Sequence, residues 1–123
     1  MNNISKILKS KSKEEILKDL SKLSKEKLNE KLLDEANWSK NKTKFKLLVK
    51  AGADINYKYG HYGYTPLIVA AANGNKKIVK YLLKHNADTF IIDYENDTAL
   101  SIAKKHNLNK IVKLLEKHNS KSE

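Results

Sequence analysis

Internal repetition constrains this chain more than any other feature. Thr65, Leu67, Ala70, Ile78, Val79 and Leu82 recur as Thr98, Leu100, Ala103, Ile111, Val112 and Leu115, each pair 33 residues apart. An offset of 34 links Ala36, Leu48, Ala53 and Asp54 to Ala70, Leu82, Ala87 and Asp88, which puts one additional residue in the stretch Tyr57–Tyr64. Three units result, the first less regular than the other two. A period of this size marks a solenoid, because one unit cannot bury its apolar face alone and must stack on a neighbour.

Each unit reads as two helices. Thr65 suits a helix N-cap, its oxygen accepting from a first-turn N–H, and Pro66 fits the first helical position, where its missing N–H costs nothing. Leu67, Ala70 and Ala71 form a narrow stripe of small apolar residues, and Asn73-Gly74 ends the helix. The second helix carries Ile78, Val79, Leu82 and Leu83. Gly52, Asn86 and Asn119 follow three such helices, and Gly and Asn tolerate the left-handed conformation that closes a helix. Upstream, Ser12 and Glu15 form a capping box ahead of Ile16, Leu17, Leu20 and Leu23, and Ser24 caps a helix bearing Leu28, Leu32, Leu33 and Ala36. Residues 1–24 read as a helical cap. A coiled coil is the alternative there, but the apolar spacing does not hold for three heptads. At the other end Lys104, Lys105 and Glu116 stand where the middle unit has Ala71, Ala72 and Leu83, a polar outer face that closes the stack.

Gly63-Tyr64-Thr65-Pro66-Leu67-Ile68-Val69-Ala70-Ala71, Gly74, Ile78–Leu83 and Ala87-Asp88 together resemble the ankyrin repeat pattern, over residues 28–118. Where that family carries His after Thr-Pro-Leu, this chain has Ile68 and, one unit later, Ser101. The resemblance implies an all-α solenoid of stacked helix-turn-helix units with β-turn fingers and an N-terminal helical cap. The whole chain is then one domain: cap 1–24, a degenerate repeat 25–57, a regular repeat 58–90, and a regular repeat 91–123 acting as C-terminal cap.

The resemblance also implies where a partner docks, on the concave face built from the fingers and the exposed side of each unit's first helix. The first finger maps to Tyr57–Tyr64, with Tyr57, Tyr59, His61, Tyr62 and Tyr64. The second maps to Ile91–Asp97, with Tyr94, Glu95 and Asp97 expected exposed. Helix positions on this face map to Trp38, Ala72, Asn73, Lys105 and His106. Six of the nine aromatic residues fall here, although a solenoid core could have used them. Tyr and Trp dominate binding hot spots because they offer large, stiff, amphipathic surface. The competing use of the tyrosines is to brace the enlarged finger by cross-strand packing.

Charge offers a rival function. The net charge is +11, which favours polyanions through counterion release. Yet all 25 basic residues are Lys, and the 13 Asn against no Gln point to an AT-rich coding bias behind both excesses. Without Arg, bidentate reading of guanine or clamping of phosphate is lost, which disfavours nucleic acid. Residues 1–50 hold 14 Lys against 7 acids, so a polyanion-facing surface is expected in the N-terminal half, on Lys6–Lys46. The second finger, with Asp93, Glu95 and Asp97, is no phosphate cradle.

No catalytic, cofactor or metal site is expected. There is no Cys, the four His lack metal-ligand spacing, and Thr98 and Lys104 stand where a calcium loop starting at Asp93 needs Gly and Glu. Gly-rich phosphate loops and the G-x-S-x-G elbow are absent. The N-terminus has no secretory apolar core and no stretch spans a bilayer, so the expectation is a cytoplasmic monomer, in which the sequons at Asn3, Asn37, Asn41 and Asn96 are chance. The expected function is a protein-binding module, adaptor or inhibitor, including an immunity-type protein. The alternative is a Lys-driven electrostatic binder of nucleic acid or an anionic membrane.

Overall fold

The computed structural model describes residues 11–38 and 42–121, apart from the Trp38 side chain. They form seven helices: α1 (Lys13–Ser21), α2 (Lys25–Trp38), α3 (Thr43–Lys50), α4 (Pro66–Ala72), α5 (Lys76–Lys84), α6 (Ala99–Lys105) and α7 (Asn109–Lys121). Of the expected cap, residues 1–10, with Asn3, Lys6 and Lys9, lie outside the described residues, as do Lys40 and Asn41.

Local side chains start the helices. Thr65 Oγ1 accepts from the Ile68 N–H at 3.2 Å, with Pro66 opening α4. Thr98 Oγ1 accepts from the Ser101 N–H at 3.1 Å, and Ser101 Oγ accepts from the Thr98 N–H at 2.9 Å. Ser101 thus completes a capping box at the position where the ankyrin pattern has His. Ser12 and Ser24 cap α1 and α2, each accepting at 3.2 Å, but among the described residues Glu15 makes no return bond.

Helix ends repeat as regularly as starts. Left-handed residues pair at Gly52 and Asn86, at Gly74 and Asn107, and inside the fingers at Gly63 and Asn96, with Gly60 of the longer first finger the unpaired one among the described residues. These are the repeat spacings of 34 and 33, with Asn taking over from Gly as the residue that best bears a positive φ. After α3 and α5 the same closure recurs, with Ala53 donating to Leu48 and Ala87 to Leu82. Asn119 departs from the expected role. It lies within α7, which runs on to Lys121, and its carbonyl accepts from the Thr89 hydroxyl at 2.7 Å instead of closing a turn.

The helices stack in two layers. α2, α4 and α6 pack side by side as an inner layer, and α3, α5 and α7 lie behind them, each against the inner helix of its own unit. α1 packs on α3, so it extends the outer layer alone. This is an all-α repeat solenoid. Fully buried Ala36, Ala70, Ala71 and Ala103 let the inner helices approach, while Phe45, Leu48, Ile78, Leu82, Ile111 and Leu115 fill the space behind. Each large side chain so buried contributes about 1.5–3 kcal/mol. Asparagines tie the stack: within the first unit Asn29 Oδ1 accepts from the Asp54 N–H at 2.7 Å, and between the first and second units Asn56 Oδ1 accepts from the Asp88 N–H at 2.9 Å and Asn73 Nδ2 donates to Asn37 Oδ1 at 2.6 Å.

Charge sorts by layer. Behind the inner layer, α3 carries three lysines, α5 four and α7 four, with Glu116 the one carboxylate of these three helices, while α1 at the end of that layer carries Glu14, Glu15 and Asp19 beside two lysines. The inner layer holds five lysines and four acids, and the acids all lie on α2. Alternating helices thus place eleven lysines behind the inner layer, on α3, α5 and α7.

Candidate functional site

Two fingers project beside the inner layer, one between α3 and α4 and one between α5 and α6. In the first, the Tyr59 N–H donates to Tyr64 O at 2.8 Å and the Gly63 N–H to Tyr59 O at 3.0 Å. In the second, the Asp93 N–H donates to Asp97 O at 2.9 Å and the Asn96 N–H to Asp93 O at 3.1 Å. The loop closed by Tyr59 and Tyr64 is one residue longer than that closed by Asp93 and Asp97, which locates the additional residue of the middle unit. The fingers are tied together, since the Tyr94 N–H donates to Tyr62 O at 3.0 Å. The Tyr94 ring lies over Gly63, where an added Cβ would come within 3.1 Å of ring carbons and 2.8 Å of Lys58 Cε. Lys58 Nζ stands 4.9 Å from the centre of that ring, a cation–π contact.

The tyrosines pack on one another and still leave aromatic surface exposed. Tyr62 and Tyr64 stack at 5.2 Å with their planes 15° apart, and Tyr57 and Tyr59 meet at 6.2 Å. Tyr57 and Tyr64 are half-buried, but Tyr59, Tyr62 and Tyr94 keep 45%, 61% and 63% of their surface exposed, and His61 is exposed at the tip. Packing therefore consumes only part of the aromatic surface. Phe90 and Ile92, exposed at 66% and 41%, were missed. The repeat offset held the signal, because these positions correspond to Asn56 and Lys58 one unit earlier.

Between the second finger and the inner layer lies a pocket of about 470 Å³. It gathers Tyr64, Glu95, Asp97 and Lys105, four of the sequence-chosen residues, with Ala72, Asn73 and His106 as expected on the helix side. Tyr57, Tyr59, His61, Tyr62 and Tyr94 lie outside it on the fingers. The Trp38 side chain lies outside the described residues, while its neighbour Asn37 lines the pocket.

Asp97 corrects the expectation of exposure. It is buried, with Oδ1 accepting from the Ser101 hydroxyl at 2.9 Å and Oδ2 paired with Lys105 Nζ at 2.7 Å. The finger folds back onto the first turn of α6, and a carboxylate taken from water there needs these partners. Bonding to Lys105, then to Ser101, holds the Asp97 carboxyl below its ordinary range, and the same bond to Asp97 raises Lys105. Asp93 is buried too, its Oδ1 accepting from the Glu95 and Asp97 N–H groups at 2.8 and 2.9 Å. Of the three acids only Glu95 is exposed, and among the described residues its carboxylate makes no hydrogen bond or ion pair. Burial first, and then the charges of Asp93 and Glu95, push the Tyr64 phenol above its usual value.

Among the described residues no group of three or more His, Asp or Glu is arranged to hold a metal ion, and no helix is long and apolar enough to cross a membrane. A family model for ankyrin repeats, in three copies, matches residues 32–122. The chain belongs to the ankyrin repeat family. Ankyrin repeats generally mediate protein–protein interaction and are generally non-enzymatic. Protein R664 of Acanthamoeba polyphaga mimivirus, described as an ankyrin repeat protein, is 40% identical over 63 residues, 51% of this chain and 38% of its own length. An L-asparaginase of Dirofilaria immitis is 48% identical over 58 residues, 47% of this chain and 10% of that protein. The nuclear factor NF-kappa-B p105 subunit of Gallus gallus is 44% identical over 54 residues, 44% of this chain and 5% of its own. The matches thus span well under two thirds of each relative.

Proposed function

We propose that this ankyrin repeat chain is a protein-binding module, adaptor or inhibitor, that docks a partner on the fingers and the pocket beside them. The observation that carries the reading is the exposure of Tyr59, Tyr62 and Tyr94 on fingers already fixed by backbone hydrogen bonds. Rings held in place lose little entropy on binding, which is what makes Tyr an effective contact residue. Net charge supports the choice of face. In a chain of +11, the exposed carboxylate on this face is Glu95, which has no side-chain partner among the described residues, so the contact suits a partner surface that brings a cationic group beside apolar ones.

Replacing Tyr59, Tyr62 and Tyr94 together by Ala is expected to abolish capture of the partner from lysate, read by mass spectrometry, with the helical circular dichroism signal unchanged. Capture at the parent level by the folded triple variant would overturn the reading.

A further inference from the structure

The outer layer carries a second concavity, away from the fingers. A groove of about 490 Å³ runs between α3 and α5, within the size range of sites for small ligands. Lys46 and Lys50, one helical turn apart, reach it from α3, Lys13 from the start of α1, and Tyr81 and His85 from α5. No carboxylate lines it, and α3 and α5 contain none at all. Nor, among the described residues, does any carboxylate pair with Lys13, Lys46 or Lys50, although Lys11, Lys27, Lys104 and Lys105 all have acidic partners. The groove is therefore a concentration of uncompensated positive charge inside an already basic layer, and low-dielectric walls strengthen such a field.

Its floor has a second character. The Tyr81 and His85 rings lie 4.3 Å apart, Lys46 Nζ stands 6.0 Å from the Tyr81 centroid, and Thr43, Leu47 and Val49 complete the lining. Lys presents a compact charge to phosphate without the planar fork of Arg, so several lysines converging on one groove suit an anion with several phosphates better than one planar carboxylate. The ring-lined floor accommodates the carbon skeleton that holds those phosphates.

We propose that this groove binds a multiply phosphorylated small anion, free or as a lipid headgroup, through Lys13, Lys46 and Lys50. The site is independent of the finger face and stands whether or not that face binds a protein.

The test titrates the full chain with inositol 1,4,5-trisphosphate at physiological salt, about 0.15 M. Saturable one-to-one binding is expected. The K46Q/K50Q pair should weaken it at least tenfold, whereas K113Q/K117Q, which removes the same charge from α7 in the same layer, should change it less than threefold. K13Q, on another helix, should weaken it severalfold and serves if the α3 pair unfolds by circular dichroism. Phosphatidylcholine vesicles doped with phosphatidylinositol 4,5-bisphosphate separate the sources: their capture identifies a lipid headgroup, and binding of the soluble trisphosphate alone identifies a free ligand. Absence of saturable binding in both arms, or equal weakening by the two Gln pairs, overturns the proposal. So does duplex DNA bound in preference to the trisphosphate and unaffected by K46Q/K50Q.

Discussion

Asp97 shows how a residue that looks like a contact point from sequence becomes part of the frame. It stands one position before the Thr98 cap, and its two oxygens hold Ser101 and Lys105, so the second finger is fastened to the first two turns of α6. The linkage has a sign. The folded carboxyl has a lowered pKa, so between that value and the ordinary Asp value near 4 the unfolded chain binds more protons than the folded one. The contribution of Asp97 to stability is therefore full above about pH 4 and is lost as pH falls through the lowered folded value. Lys105, raised in the fold, keeps its contribution below its ordinary value and loses it only as pH climbs through the raised one. D97N should melt below the parent at about pH 7, and the gap should narrow as pH falls below the ordinary Asp range and through the lowered folded value, where the Asp97 carboxyl takes up its proton. Thermal unfolding followed at 222 nm across this range measures it, and a gap that stays constant with pH would assign the effect to packing instead.

At the scale of elements, the joints between units depend on asparagine amides more than on charge. Asn56, just before the first finger, accepts the Asp88 N–H across the joint between the first and second units, and within the first unit Asn29 on α2 accepts the Asp54 N–H. N56A strips the Asp88 N–H of its acceptor and should cost about 1 kcal/mol in urea unfolding. N109A, at an exposed residue with no side-chain partner among the described residues, should change stability by less than about 0.5 kcal/mol. A cost at N56A no larger than at N109A would remove the joint. Helix boundaries were legible in the sequence because Thr65, Pro66, Gly74 and Asn86 act within a few residues of themselves. The asparagine ties were not, because Asn29 and Asn56 act on backbone 25 and 32 residues away, and composition alone ascribes the asparagines to coding bias. The site divides along the same line. Repeat offset located the fingers, whereas the stacking of Tyr62 on Tyr64 and the burial of Asp97 depend on how the fingers lie against each other and against α6.

At the scale of the whole molecule, two layers of unequal charge come from one alternating chain, and the basic layer works against its own fold. Like charges stand one turn apart at Lys46 and Lys50, at Lys76, Lys80 and Lys84, and at Lys113, Lys117 and Lys121. Each such pair costs about 0.2–0.5 kcal/mol on an exposed helix, and neighbouring outer helices add to the repulsion. Salt screens charges beyond about 30 Å at 0.01 M but beyond only about 10 Å at 0.1 M, which covers the spacing of adjacent helices. Sodium chloride should therefore stabilise this protein. Raising it from about 0.01 M to about 0.5 M should recover roughly 1 kcal/mol, or about 4–8 °C in melting temperature for a domain near this size. Salt also strengthens burial slightly, so the decisive comparison is K80E, which sets a carboxylate one turn from both Lys76 and Lys84. That variant should melt above the parent at low salt and draw level at high salt. If the two proteins respond to salt identically, self-repulsion of the outer layer is not what limits the fold.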